Sequence, residues 1–148
     1  MIRFGIASYE LNGRVAAGLS VGDALYDMQT VLKQATGDAT PVDVDALVRG
    51  WDQNGAAAVK QFEAAARAVA DGTIDAKPLT GYRLRVPFTP RRIFAAASNY
   101  YEHAREMGTE LAPREESTPY MFMKAETSVV PTLAEVRIPP QAERVDWE

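Results

Sequence analysis

Three places in this chain carry side chains whose types and spacing could do chemistry. The first is His103, the single histidine, with Glu106 three residues on. On a helix, residues three apart share a face and can pair. A carboxylate beside an imidazole fixes its tautomer and raises its basicity, which is the orienter and base of a water-activating dyad. The same spacing also occurs as an incidental pair on a solvated helix. The second is Lys124, which ends an alternating run in which Tyr120, Phe122 and Lys124 share one strand face and Met121, Met123 and Ala125 the other. A lysine there could bind an anion or polarise a carbonyl, or serve as an edge-strand charge that discourages aggregation. The third is Asp146 with Glu148, two apart and so on one face of a strand. Paired carboxylates suit a hard cation such as Mg²⁺ or Ca²⁺, although acidic pairs are also ordinary surface features.

Composition narrows the chemistry. With no cysteine in 148 residues, disulfides, thiolate nucleophiles and cysteine-ligated zinc are excluded, and one histidine excludes a multi-histidine metal site within one chain. The net charge is −4 and the longest basic run is Arg91-Arg92, too short to track a phosphate backbone, so nucleic acid is not an expected partner. No stretch approaches the run of about 18 apolar residues that spans a membrane. The start, Met1 to Ile6, has no long apolar segment of the signal-peptide kind, so a cytoplasmic protein is expected. Apolar residues at 47% and charged residues at 24% are enough for a sizeable core.

The elements that must position these residues can be read from periodicity. Residues 2–7 and 14–19 are short β-like runs around Asn12-Gly13, a hairpin signal. Leu25 to Met28 leads into a helix near residues 28–36, closed by Gly37. Val44, Leu47, Val48 and Trp51 follow helical spacing behind Asp43 as N-cap, and Val59, Phe62, Ala66 and Val69 mark a second helix over 55–71. Prolines and glycines punctuate residues 73–90 around one strand, Tyr82 to Val86, whose arginines share a face. A domain boundary is therefore expected near residue 75, dividing a small N-terminal domain, 1–75, from a second unit, 76–148. In the second unit Ile93 to Ala97 reads as a buried-type strand. A short helix follows over 100–107, ended by Gly108, then a polar loop over 109–118 and a strand from Tyr120 to Ala125. Val136 to Ile138 begins another strand before Pro139-Pro140. The closing Val145-Asp146-Trp147-Glu148 starts a strand-like run, and strands need neighbours. The native sheet is thus expected to include a continuation absent from this sequence.

Taken in order, these signals resemble the fumarylacetoacetate hydrolase superfamily. Ile93-Phe94-Ala95-Ala96-Ala97-Ser98-Asn99-Tyr100-Tyr101-Glu102-His103-Ala104-Arg105-Glu106-Met107-Gly108 resembles its opening block, an apolar strand followed by Asn-Tyr and His-x-x-Glu. Pro119 to Ser128 resembles its Pro-x-x-Phe-x-Lys-x-x-Thr-Ser block, and Ile138-Pro139 with Val145 to Glu148 the approach to its Glu-x-Glu metal motif. These blocks lie within residues 87–148, and residues 1–75 look like the small N-terminal domain that many members carry. One departure is Ala97-Ser98, where members often show Gly-Leu or Gly-Arg, a change in the lining beside the dyad.

The resemblance implies an α+β protein: a small N-terminal α/β domain, then the first part of a mixed β-sandwich roll, apparently truncated. It implies a divalent-metal-dependent enzyme acting on small 2-oxo acids, with Mg²⁺, or Mn²⁺ or Ca²⁺, as cofactor, usually in a homodimer. By position His103 matches the family base and Glu106 its orienting partner. Tyr100 and Lys124 match the substrate pocket. Glu148 matches the first metal ligand, and Asp146 a supporting residue. The reaction implied is C–C bond hydrolysis of acylpyruvate or fumarylacetoacetate-type substrates through a metal-stabilised enolate. Hydratase or isomerase chemistry on oxo-dioates of aromatic catabolism, or oxaloacetate decarboxylation, uses the same platform. With the second glutamate of the motif and a later aspartate missing, the 148 residues alone are not expected to be a competent enzyme. A reading of another class is a non-catalytic fragment or interaction module that assembles through open strand edges. Cooperative unfolding of a soluble monomer would count against it.

Overall fold

A computed structural model of the chain describes residues 2–97, 100–113, 115–118 and 120–142. The chain divides into two compact units, one running to Phe88 and including the segment from Val130, the other Thr89–Val129. Helices and antiparallel sheets make it α+β.

The first unit is built on a four-stranded antiparallel sheet in the order β3-β2-β1-β4. Strands β1 (Phe4–Leu11) and β2 (Arg14–Val21) form the expected hairpin, with Leu11 opposite Arg14. Its two loop residues both take positive φ, Asn12 at 53° and Gly13 at 78°. That is the turn whose twist matches the strands, and it is why Asn-Gly marks it. Strand β3 (Ala24–Asp27) was not expected as a strand. It is four residues long, pairs with β2, and passes directly into helix α1 (Met28–Thr36). Asp27 caps α1, its carboxylate accepting from Thr30 N at 2.8 Å, and Gly37 closes the helix in the left-handed conformation.

Asp43 caps α2 (Val44–Arg49) as its position predicts, accepting from Ala46 N at 3.0 Å. Trp51, expected on that helix, instead opens α3 (Trp51–Ala70). The split falls at Gly50: its N–H closes α2 on Ala46 O, while its carbonyl accepts from Gln53 and Asn54 at the start of α3. One sheet face carries Phe4, Ile6, Ala17, Leu19 and Tyr26, and it packs with Met28, Val31 and Leu32 of α1, Val44 of α2, and Phe62, Ala65 and Ala66 of α3. Strand periodicity of two meets helical periodicity of 3.6 at this core. Leu19, Met28 and Ala65 are fully buried.

Strand β4 (Arg83–Arg85) pairs with β1 through Ser8, Tyr9 and Glu10. Its two arginines share a face, as the alternation predicts; both are exposed, and Arg85 lies 3.3 Å from Glu10. Where the sequence places a boundary near residue 75, the compact units divide after Phe88, because β4 completes the N-terminal sheet.

In the second unit β5 (Ile93–Ala97), helix α4 (Tyr101–Glu106) and β6 (Tyr120–Lys124) follow in the expected order, with β5 and β6 paired antiparallel. The run Ile93–Ala97 is not buried as expected: Phe94 is 59% exposed. Pairing to one strand shields an edge, whereas burying a face takes a second layer. Val136 to Ile138 forms no strand. No strand among the described residues pairs with it, Val136 and Ile138 lie exposed, and prolines follow at 139 and 140. Among the described residues no helix is long and apolar enough to cross a membrane.

Candidate active site

The second unit holds the residues singled out for chemistry that lie among those described. In the β5–β6 pair Lys124 stands opposite Ile93, Phe122 opposite Ala95 and Tyr120 opposite Ala97. One face therefore carries Ile93, Ala95, Ala97, Tyr120, Phe122 and Lys124, and the other Phe94, Ala96, Met121 and Met123. Lys124 and Phe122 are half-buried, whereas Tyr120, Met121 and Met123 are exposed. Lys124 thus ends an aromatic face on β6, opposite the start of β5, the strand that leads to α4.

Helix α4 comes three residues after β5 ends. Tyr100 takes the N-cap position with extended backbone, φ −116° and ψ 132°, and makes no side-chain cap hydrogen bond. Its ring is exposed. His103 and Glu106 fall on one face of the helix, with Nδ1 3.8 Å from Oε2. That is longer than a hydrogen bond and is the separation of an ion pair when the imidazole is protonated. The side chains are 45% and 79% exposed, so water reaches both. A base open to water and backed by a carboxylate can take a proton and be stabilised once it carries the charge.

The structure therefore brings His103 and Glu106 together, places Tyr100 at the head of their helix, and puts Lys124 on the strand paired with β5. Asp146 and Glu148 lie outside the described residues. Among the described residues no three histidine, aspartate or glutamate side chains converge as a metal site. The described part of the chain does not by itself fit a divalent cation, which takes six or more oxygen ligands, or fewer with waters retained.

Two features escaped the sequence reading. In the first unit Tyr9, Asp27 and Thr30 form a buried-to-surface hydrogen-bond chain. Beside it lies a cleft of about 280 Å³, bordered by Ser8, Arg14, Asp27, Gln29 and Asp43 and by none of the expected site residues. In the second unit Thr109 N–H and Oγ1 both donate to Ala104 O, at 2.8 and 3.2 Å. Gly108 signals the turn that makes this possible. The hydroxyl bond has no signal of its own beyond a threonine next to that glycine.

Comparison with known proteins bears on the same segment. Residues 92–148 match the family described as fumarylacetoacetate (FAA) hydrolase C-terminal. An uncharacterized protein of Pyrococcus abyssi is 39% identical over 72 residues, covering 44% of this chain and 30% of that protein. Two human mitochondrial oxaloacetate tautomerases are each 36% identical over 59 residues, covering 40% of this chain and 18% of theirs. A solved fumarylacetoacetate hydrolase from psychrophilic Exiguobacterium antarcticum superposes with a TM-score of 0.50 at 23% identity, over 86% of this chain and 38% of that one. The matches thus span well under half the length of each of these relatives.

Proposed function

We propose, for a chain that belongs to the fumarylacetoacetate hydrolase superfamily through residues 92–148, that the protein is a divalent-metal-dependent hydrolase of acylpyruvate-type 2-oxo acids. The observation that supports this reading is the His103–Glu106 pair, 3.8 Å apart on the helix that follows β5, inside the matched segment. His103 takes a proton from water, and the oxygen adds to the distal carbonyl carbon of the substrate. Glu106 stabilises the imidazolium so formed. The bond between that carbon and the adjacent methylene then breaks, its electron pair passing to the methylene as the enolate of pyruvate. Return of the proton from His103 to the methylene carbon leaves pyruvate and a carboxylic acid, which loses its proton to solvent, so the step balances with one water consumed and one proton released. Lys124 supplies positive charge toward the substrate carboxylate, and the Tyr100 ring lines the approach.

The proposed cation is Mg²⁺, or Mn²⁺ or Ca²⁺, with Glu148 as one ligand. When bound it draws electron density from the 2-oxo group as a Lewis acid. The steps above use only the chain's own side chains.

A second reading is favoured by the human relatives, whose names state oxaloacetate tautomerase. Here the same base moves one proton between the carbon next to the keto group and the enol oxygen, with no water consumed. The deciding assay follows acylpyruvate cleavage and oxaloacetate enol–keto conversion in parallel, with Mg²⁺ and after its removal by EDTA. Cleavage that EDTA abolishes, that Mg²⁺ restores and that His103→Gln removes is the expected result. Tautomerisation without cleavage selects the second reading. Full activity of His103→Gln in both assays overturns both.

A further inference from the structure

Helix α4 has six residues, too few to hold its shape by backbone bonds alone. Its N-terminal end has no side-chain cap. Its C-terminal end is closed by a nested set of bonds. Met107 N donates to His103 O at 3.1 Å, Gly108 N to Arg105 O at 3.0 Å, and Thr109 N to Ala104 O at 2.8 Å. Thr109 Oγ1 adds a second donor to Ala104 O at 3.2 Å, so both lone pairs of that carbonyl are used. The chain can double back this tightly because Gly108 sits at φ 70°, where a side chain would be strained. Ala104, whose carbonyl is clasped, is 2% exposed and is the one buried residue of Thr89–Val129 among those described.

Glu106 lies inside all three of these closed rings, which run from His103 O to Met107 N, from Arg105 O to Gly108 N and from Ala104 O to Thr109 N. The first and the last are anchored at His103 and its neighbour. The angle at which Glu106 is presented to His103 is therefore set from the C-terminal side of the helix.

We propose, resting on the reading of His103 and Glu106 as the catalytic pair, that Thr109 is a positioning residue: its hydroxyl and N–H clasp the Ala104 carbonyl and hold Glu106 in register with His103. Thr109 touches neither the reacting atoms nor the imidazole. Its effect is on how often the pair is aligned, so it acts on the chemical step more than on substrate binding.

The chain's single histidine makes the test direct, since every imidazole signal belongs to His103. Thr109→Val removes the hydroxyl and keeps the side-chain shape, whereas Thr109→Ser keeps the hydroxyl. The readouts are the ¹⁵N shifts of Nδ1 and Nε2 at fixed pH, and kcat and KM in whichever assay the protein passes. Thr109→Val is expected to move the ¹⁵N shifts and to lower kcat by about 3- to 10-fold, the loss of one neutral hydrogen bond, with KM within about twofold. Thr109→Ser is expected to restore both. Gly108→Ala has open space around its Cβ but a strained φ, so it loosens the same turn and should move the same shifts in the same direction. It keeps the proposal testable should Thr109→Val fold poorly. Wild-type ¹⁵N shifts and kcat in both Thr109→Val and Gly108→Ala overturn the proposal. If His103→Gln is inactive in that case, the clasp alone falls. If His103→Gln is fully active, the catalytic pair falls and the clasp with it.

Discussion

The Tyr9 hydroxyl donates to Asp27 Oδ2 at 2.7 Å, joining β1 to the end of β3 across the strand between them. On that face β2 presents Ala16 and Gly18, small enough to let the phenol reach over. The same carboxylate accepts from Thr30 N and Thr30 Oγ1 through its other oxygen, so one aspartate ties the sheet to the first turn of α1. The Tyr9 ring also packs edge-on to Tyr82, with centroids 6.2 Å apart.

Stability should fall at both ends of the pH scale through this pair. Burial raises the Asp27 carboxyl, but hydrogen bonds from Thr30 and Tyr9, with the Arg14 charge, outweigh it and hold it below the usual carboxylate value. A lowered folded pKa gives stability that is present above the unfolded value, about 4, and lost as pH falls through the folded one. Burial, the bond to Asp27 and the Asp27 charge push Tyr9 up to about 12. That contribution is complete below the unfolded value of about 10 and is lost as pH rises toward 12. Urea midpoints measured against pH should show both losses, and Tyr9→Phe should reduce the alkaline one. An unchanged alkaline limb in Tyr9→Phe would refute this account. Asp27→Ala removes a helix cap and strands a buried hydroxyl, for a combined cost of about 2–4 kcal/mol at neutral pH.

Two glycines of the first hairpin should fail for different reasons. Gly13 has open space around a Cβ but φ of 78°, so Gly13→Ala costs about 1 kcal/mol of backbone strain alone. At Gly18 a Cβ would meet Leu25 Cδ1 at 2.7 Å, and Leu25 is buried. Gly18→Ala should cost about 1–3 kcal/mol as overpacking. Adding Leu25→Ala should offset part of the Gly18→Ala loss and none of the Gly13→Ala loss. Thermal denaturation of the two double mutants separates strain from crowding. Equal behaviour of both pairs would contradict the assignment.

What could be read from the sequence was what neighbouring residues decide. The Asn12-Gly13 turn, the Asp43 cap, the glycine stops at 37 and 108, and the alternation of Tyr120 to Lys124 are each written within a few positions. So is the His103–Glu106 pair, because an interval of three on a helix is a local fact. Strand β3 was missed because its four residues gain their strand character from pairing with β2. Gly50 was read through because its effect depends on which carbonyl its N–H finds. The exposure of Phe94 and the absence of a strand at Val136 to Ile138 were misjudged for one reason: an apolar run states a preference for burial, and only a partner layer or strand satisfies it. The Tyr9–Asp27 bond spans 18 positions and depends on register, which no local pattern states.

Glu106 should matter to rate and hardly at all to folding. The pair is solvent-exposed and 3.8 Å apart. An ion pair so placed contributes about 0–1 kcal/mol after solvent screening, so Glu106→Gln should shift the urea midpoint little. On the proposed reading its partner carries, during turnover, a charge that the neutral imidazole lacks, and there the carboxylate would act. Glu106→Gln is expected to lower kcat about 10- to 100-fold, less than the roughly 10²- to 10⁴-fold loss in His103→Gln. Once His103 is gone, Glu106 has no imidazolium to stabilise. The double substitution should therefore be about as slow as His103→Gln alone, a non-additivity that marks two residues acting as one unit. Multiplicative losses in the double substitution would mean that Glu106 acts on the substrate independently of His103.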